Sequence, residues 1–399
     1  MTTFIGRLQQ IGIGKEGTPG TPVAPTFWLP KNSGQLVADP TTMEDDAGYG
    51  GIEKTREISV VKNMTKIDLS FVPRAKFFGN ILNALYGQSW PTVRIPIPGS
   101  VTGTFLVGET VTETSSSAVG VIRRDDSADG TTKALYLSVT SGTFTGGQTL
   151  TGGTSGATAT GGTIESPSAL RHHIFRTLQT NNHPAYTIAS YDPDTQERAS
   201  YCLLDTLDVE IVAGDYIRCT SSWKGKKITS TSALTPSYPE EDAFLAKHCT
   251  VQLATTFAGL TAATPIVVKR IKLSFKKNLM DYQGVGSDDV DSIHNGEFEV
   301  TGDMDLKYDA VTYRDYVING SKRAMRLKVV NSDATTIGSG TKPTYQQDFA
   351  MLGFTEFDRT SENGQISEQT IGFKPQFNAL RGLAHEAMLV NAQITGYNA

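Results

Sequence analysis

The 399-residue chain has only three cysteines, Cys202, Cys219 and Cys249, and none stands in a CxxC pair. That absence argues against a dithiol redox site or a cysteine-clamped zinc, and it leaves free buried thiols in a reducing compartment as the expectation. No apolar run approaches the length of a membrane span, and the opening MTTFIGRLQQIGIGKEGTPG lacks the continuous apolar core of a secretory signal. Synthesis in the cytosol with no membrane partner is expected. Positive charge is not in excess either. A formal net charge of −5 argues against a protein that grips phosphates, though not against one past which DNA slides.

Catalytic layouts are missing as well. Gly12-Ile13-Gly14-Lys15-Glu16-Gly17 lacks the spacing of a phosphate loop and runs into Thr-Pro-Gly instead of a helix. Asp125, Ser127, Asp129 and Gly130 match the first half of a calcium loop, but Tyr136 stands where the bidentate Glu belongs, so a hairpin turn is predicted. His172 and His173 adjoin on a predicted strand and therefore face opposite ways. His183, His248, His294 and His385 have no HxH or HExxH context. The acids Glu240, Glu241 and Asp242 lie in a Pro-rich crossover, where nothing would desolvate or orient them. The chain is expected to be no enzyme, with no cofactor and no metal.

What is present points to β structure. The 39 glycines and the Thr/Ser-rich stretches suit short strands and many turns. Residues 1–51 are punctuated by Gly and Pro and read as an N-terminal arm ending in an acidic glycine loop. Ile67-Asp68-Leu69-Ser70-Phe71 alternates with period two, and Pro73–Tyr86 carries Phe77, Phe78, Ile81, Leu82 and Leu85 on one helical face. Met304–Tyr308 followed by a helix over Asp309–Ile318 answers that unit. Strands His173–Leu178 and Ala324–Val330, and hairpins Leu203–Trp223 and Phe349–Phe373, complete the correspondence. The body therefore reads as two tandem β domains with one helix each: 52–88 plus 169–235, and 236–399.

Residues 89–168 differ in composition. Gly103–Thr112 recurs as Gly142–Thr151, so an inserted β domain built on an internal repeat is expected. Its predicted core is Phe105, Val107, Val111, Leu135, Leu137, Val139, Phe144 and Leu150.

The order of these elements resembles that of the tail tube (major tail) proteins of long-tailed bacteriophages, two-domain type. The features that carry the resemblance are IGKEGTPGTPVAPTFWLP, the acidic loop ending in Gly50-Gly51-Ile52, KIDLSFVPRAKFFGNILNALYG, RHHIFRTLQTNNHPAYTI and LLDTLDVEIVAGDYIRCTSSWKGKK. The resemblance implies mainly β sandwich or barrel domains, each with a flanking helix, whose sheets join across subunits around a lumen. It implies a structural virion protein that polymerises into stacked, homotrimeric rings, assembled in the host cytoplasm, as the conduit for genome ejection. The implied partners are other copies of the chain, tape-measure, tail terminator and baseplate or tip proteins, and double-stranded DNA that passes without tight binding. Asp39, Glu44, Asp45, Asp46, Gly48 and Gly51 in one loop, and Gly284, Asp288, Asp289 and Asp291 in another, are expected to be mobile in the free subunit and to bridge rings. A neutral to acidic lumen, with basic side chains elsewhere, is expected, as is an outward-facing and dispensable insert. A carbohydrate- or receptor-binding virion surface protein is the alternative, motivated by the Thr/Gly-rich insert; the aromatic platform it needs would rest on Trp90, Phe105, Tyr136 and Phe144 alone, two of them at equivalent repeat positions that suggest core, and a secreted β hydrolase is disfavoured by the missing signal and acid pair.

Overall fold

The computed structural model describes residues 5–47, 50–52, 54–129, 132–165, 169–232, 234–338 and 340–398. In chain order the first part gives β1 (Gln10–Lys15), β2 (Phe27–Leu29), β3 (Lys31–Asp45), β4 (Glu57–Phe71), helix α1 (Phe77–Tyr86) and β5 (Gly87–Pro96). Six short strands follow: β6 (Val101–Thr102), β7 (Thr110–Glu113), β8 (Val119–Asp125), β9 (Ala134–Ser141), β10 (Thr149–Gly152) and β11 (Thr158–Thr160). The chain returns through β12 (Arg171–Thr177), β13 (Tyr186–Tyr191), β14 (Gln196–Val212), β15 (Arg218–Gly225) and β16 (Thr229–Ser230). The remainder gives β17 (Cys249–Ala254), β18 (Pro265–Ile266), β19 (Arg270–Lys276), β20 (Met280–Tyr282), β21 (Ser292–His294) and β22 (Glu299–Lys307). Helix α2 (Thr312–Ile318) and strands β23 (Lys322–Val330), β24 (Thr344–Thr360), β25 (Glu368–Pro375) and β26 (His385–Asn391) close it.

Period-two alternation sets the layers. Along β4, Ile67, Leu69 and Phe71 are buried while Lys66 and Asp68 are exposed, so the strand has one face on the core and one in water. Eight strands form an all-antiparallel inner layer, β3–β4–β15–β14–β19–β22–β25–β24. The outer layer has two parts, β2–β1–β13–β14–β16 and β18–β17–β23–β24–β26–β12–β5. The long strands β14 and β24 belong to both layers and change layer at bulges, between Leu204 and Thr206 and between Phe354 and Glu356. One apolar core, from Ile11 through Phe78 and Leu207 to Phe373, runs between the layers through both halves of the body.

The two parts repeat one pairing scheme, bulges included. Leu204 opposite Trp223 answers Phe354 opposite Phe373. The shift between Tyr186 and Ile188 answers that between Arg323 and Met325. Ile11 opposite Leu29 answers Val251 opposite Ile266, and Leu69 opposite Gly34 answers Met304 opposite Ile271.

Several sequence-based expectations are corrected. Residues 10–15 form no free arm: β1 lies between β13 and β2, with Ile11 and Ile13 fully buried. The intervening glycines mark close approach, since a Cβ on Gly12 would lie 2.7 Å from Pro25 and one on Gly14 2.4 Å from the Ala24 carbonyl oxygen. Helix α1 starts at Phe77 rather than Pro73, and α2 at Thr312 rather than Asp309. The partner of β23 in the repeat is β13, not the strand His173–Leu178, and Met304 aligns with Leu69, two residues from the expected match with Ile67. A two-residue slip keeps every side chain on its face, so alternation alone could not detect it.

The insert does not start at residue 89. Strand β5 divides: Gly87–Thr92 pairs with β12 in the body, and Val93–Pro96 pairs with β9. Beyond it the order is β9–β8–β7–β10–β11–β6. Thr112 pairs with Thr151, its own counterpart in the repeat, so the two copies are related by a local twofold. Glu109 and Glu113 fasten that relation. Glu109 accepts hydrogen bonds from the Leu106, Thr154 and Ser155 backbone N–H groups, and Glu113 from those of Thr145 and Gly146. Burial alone would raise both carboxyls, but these donors hold them below the usual range. Phe105, Val111, Leu135, Leu137, Phe144 and Leu150 share one buried cluster. Val107 and Val139 lie outside it, 51% and 40% exposed: Val107 sits in a turn, and Val139, opposite Gly120 of β8, lies past the end of the β9–β5 pairing.

Candidate assembly surface

The solvent face of the inner layer carries interleaved charges of both signs. Arg270 reaches Glu210 at 2.8 Å, Asp303 at 2.6 Å and Asp305 at 3.4 Å. Lys374 lies 2.9 Å from Glu299, Lys66 3.3 Å from Asp68, and Lys272 3.6 Å from Asp208. The hydrogen bond to Glu210, with Asp303 and Asp305 beside it, raises the Arg270 pKa further still. These pairs are part-exposed, so each contributes at most about 1 kcal/mol. They leave the face polar and locally neutralised.

This layer has two unpaired edges among the described residues. β3 pairs only with β4, and residues 354–360 of β24 pair only with β25. Bare backbone N–H and C=O groups on such edges recruit another strand. With eight antiparallel strands, the two edge strands run in opposite directions, so one copy's β24 meets another copy's β3 antiparallel. A groove of about 1190 Å³ runs along β3, lined by Gln9, Lys31, Gly34, Gln35 and Val37 among others.

The two acidic segments lie at one end of this layer, but they differ from the expected loops. Asp39, Glu44 and Asp45 belong to β3, in a hairpin whose residues 39–47 are all exposed. Asp46 and Gly51 are exposed in the connection between β3 and β4, and Gly48 lies outside the described residues. The second segment is fastened to the body. The Asn63 N–H donates to the Asp288 carbonyl at 2.8 Å, Gln283 Nε2 donates to the Val61 carbonyl at 2.7 Å, and Lys227 lies 3.1 Å from Asp289. Val290 and Ile293 are buried with Met64, Leu203 and Leu279, which fixes the segment as a small lid. Gly284 sits half-buried and Asp291 exposed on that lid.

Sequence reasoning missed a buried ion network. Arg124, 1% exposed on β8 of the insert, reaches Asp126 at 2.7 Å, Asp348 at 2.7 Å and Glu386 at 2.8 Å. Arg326 holds Asp348 at 2.7 Å, Arg176 holds Glu386 at 2.8 Å, and Arg381 reaches Asp126 at 3.1 Å. Burial raises the Asp348 carboxyl, but Arg326 and Arg124 more than offset this and hold it well below the carboxylate range. Asp129 goes the other way: burial, then the adjacent Asp126 charge, push it up to about 7. The insert thus has an apolar core of its own but is docked on the second half through charges that are satisfied only there. Asp125 caps the Ser127 N–H at 2.8 Å as a turn residue would, and Gly130 lies outside the described residues.

A second missed group is Lys277. Its ammonium is buried and donates to the Ala84 carbonyl at 3.0 Å, at the C-terminal end of α1, where the helix dipole favours positive charge. Burial lowers it to about 7, with Asp205 opposing. His172 is lowered by burial to about 3, and His173, His183 and His385 to about 4. The three cysteines are free, and burial raises each thiol, Cys249 to about 12. Phe105, Tyr136 and Phe144 are buried and Trp90 is half-buried, which removes the aromatic platform that a sugar-binding reading needs. Among the described residues no helix is long and apolar enough to cross a membrane.

A family model described as phage tail tube protein matches residues 6–375. No curated protein matches the chain.

Proposed function

Because the chain belongs to the phage tail tube protein family, a structural component of the virion tail, we propose that its copies close edge to edge into rings with the polar layer inside. Stacked rings then form the conduit through which the genome leaves the virion, after assembly in the host cytoplasm. The observation that carries this reading is the pair of open, oppositely directed edges on one eight-stranded layer. Head-to-tail pairing of such edges removes every free edge once the ring closes.

Three copies per ring follow from the repeat, each contributing two four-stranded units. At ordinary strand spacing and barrel tilt, 24 strands enclose a backbone ring about 45–50 Å across, wide enough for a duplex once inward side chains are allowed for. Paired charges on the lining would let phosphates pass without lasting counterion exchange. That refines the expectation of basic side chains lying elsewhere: here they line the layer beside acids. The exposed β3–β4 hairpin and the lid beside it are the ring-to-ring contacts, and the insert, attached through the outer layer, faces outward. Tape-measure, terminator and tip proteins would meet the same lumen and ring faces.

Electron microscopy of purified protein, with native mass spectrometry of the smallest ring, tests this. Hollow tubes and a three-chain ring are expected. A six-chain ring would remove the trimer, and a protein that stays monomeric under all conditions would remove the tube. Replacing residues 44–58 by Asn-Gly, a two-residue turn that suits the Met43–Ser59 pair, should leave folded subunits and rings that do not stack.

A further inference from the structure

We infer that one copy meets the next in the register already built inside the chain between its two halves. The inference rests on the tube reading and names its contact. Inside the chain, the last inner strand of the first half, β14, pairs with the first inner strand of the second, β19: Leu207 lies opposite Phe275, Asp208 opposite Ser274, Val209 opposite Leu273 and Glu210 opposite Lys272. The repeat makes β24 the counterpart of β14, and β3 that of β19. Leu207 opposite Ser221 corresponds to Phe357 opposite Ile371, and Met304 opposite Ile271 corresponds to Leu69 opposite Gly34.

Carried across to a neighbouring copy, the junction sets Phe357 opposite Ala38, Asp358 opposite Val37, Arg359 opposite Leu36 and Thr360 opposite Gln35. The faces agree. Phe357 and Leu36 are both part-buried against the main core, as Leu207 and Leu273 are buried in the template, and Asp358 and Val37 continue the polar face. The strand positions concerned are unpaired on their outer side among the described residues, and the groove along β3 has room for a strand.

The helices supply an independent observation. Helix α1 spans the internal junction: the Phe78 ring lies 5.2 Å from that of Tyr345, the Tyr86 hydroxyl donates to Gln347 at 3.1 Å, and Lys277 holds the Ala84 carbonyl. Aligned on the left-handed glycine after each helix, Gly87 and Gly320, Val311 just before α2 and Ile318 at its end stand where α1 has Phe78 and Leu85. Phe78 and Leu85 are fully buried; Val311 and Ile318 are 42% and 71% exposed. The operation that lays β24 beside the next copy's β3 also lays α2 over that copy's first half, which covers the exposed pair.

Cysteine pairing in the full chain tests the register. Val37→Cys with Asp358→Cys should convert the monomer band of assembled protein into chain-to-chain multimers on mild oxidation. Gln35→Cys with Glu356→Cys, displaced along the strands, should leave it monomeric. Both pairs sit on exposed positions, and circular dichroism of the reduced proteins verifies folding. Normal tubes in which the first pair fails to link overturn the register and leave the tube standing, whether or not the displaced pair links. Wild-type protein that forms no ring overturns the tube reading itself.

Discussion

Helix α1 buries nine of its ten residues and helix α2 buries none, although both leave an inner-layer strand at the same point of one repeated pairing scheme. The scaffold is the same; the cover differs. α1 lies under β5, β12 and the second half of its own chain, whereas α2 packs chiefly on β24, with Arg323 of β23 over its Tyr316 ring. The outer layer shows the same contrast at its edge. Asp348 opposite Glu386 in the second half occupies the position of Arg198 opposite Thr229 in the first. The acidic pair is buried under the insert and answered by three arginines, while Thr229 stays in water. A duplicated fold in one chain has one junction inside and one left outside, and the outside one shows as exposed apolar side chains and bare strand edges.

The strongest way to break this comparison is at the buried edge. Arg124→Ala leaves Asp348 and Glu386 short of a partner and should cost about 3–5 kcal/mol of unfolding free energy, read by denaturant titration. Thr229→Ala, at the counterpart of Glu386, should stay within about 0.5 kcal/mol. Equal losses would mean that the insert is not docked as described.

Next comes the helix pair. Leu85→Ala should cost about 2–5 kcal/mol in the isolated subunit. Ile318→Ala should change subunit stability by less than about 0.5 kcal/mol yet lower the yield of assembled tubes. An Ile318 variant that destabilises the monomer as much as the Leu85 variant would erase the distinction between covered and uncovered helices.

Acid should sharpen the contrast further. His172, His173, His183 and His385 have folded pKa values below that of the unfolded chain. The unfolded chain therefore binds more protons below pH 6.5, and stability present above that pH is lost as it falls toward 4. Asp129 has the opposite sign. Its folded pKa of about 7 lies above the unfolded value, so acidification over the same window relieves a penalty. Melting temperatures at pH 7.5 and 5 should drop in the wild type and drop more in Asp129→Asn; an unchanged difference would remove Asp129 from the account.

The smallest effect is expected at the outer edge. In the inferred register Asp39 faces Glu356, where the internal template sets Lys276 against Thr206. Asp39→Lys copies the template and should modestly raise tube yield at low salt, with the gain fading at high salt. A decrease at low salt would count against that register.

Much of this was legible along the chain. Alternation such as Ile67-Asp68-Leu69 gave the strands and their faces, the Phe77–Leu85 spacing gave α1, and the recurrence of Gly-Thr-Phe gave the repeat within the insert. Residues 10–15 were misread because the glycines that permit close packing there look, in one dimension, like the punctuation of a loose arm. The anchoring of the segment at 284–296 was missed because Val290 and Ile293 find their apolar partners, Met64 and Leu203, far away in the chain.

By itself, then, the sequence determined what local periodicity can encode: mainly β structure, two similar halves and a third composition in between. Strand register, the change of layer at the two bulges, the docking of the insert and the identity of the open edges were decided by tertiary structure alone. The physical reason is range. Arg124 and Glu386 stand 262 positions apart, and a buried charge acquires its partner only when separate strands are brought side by side.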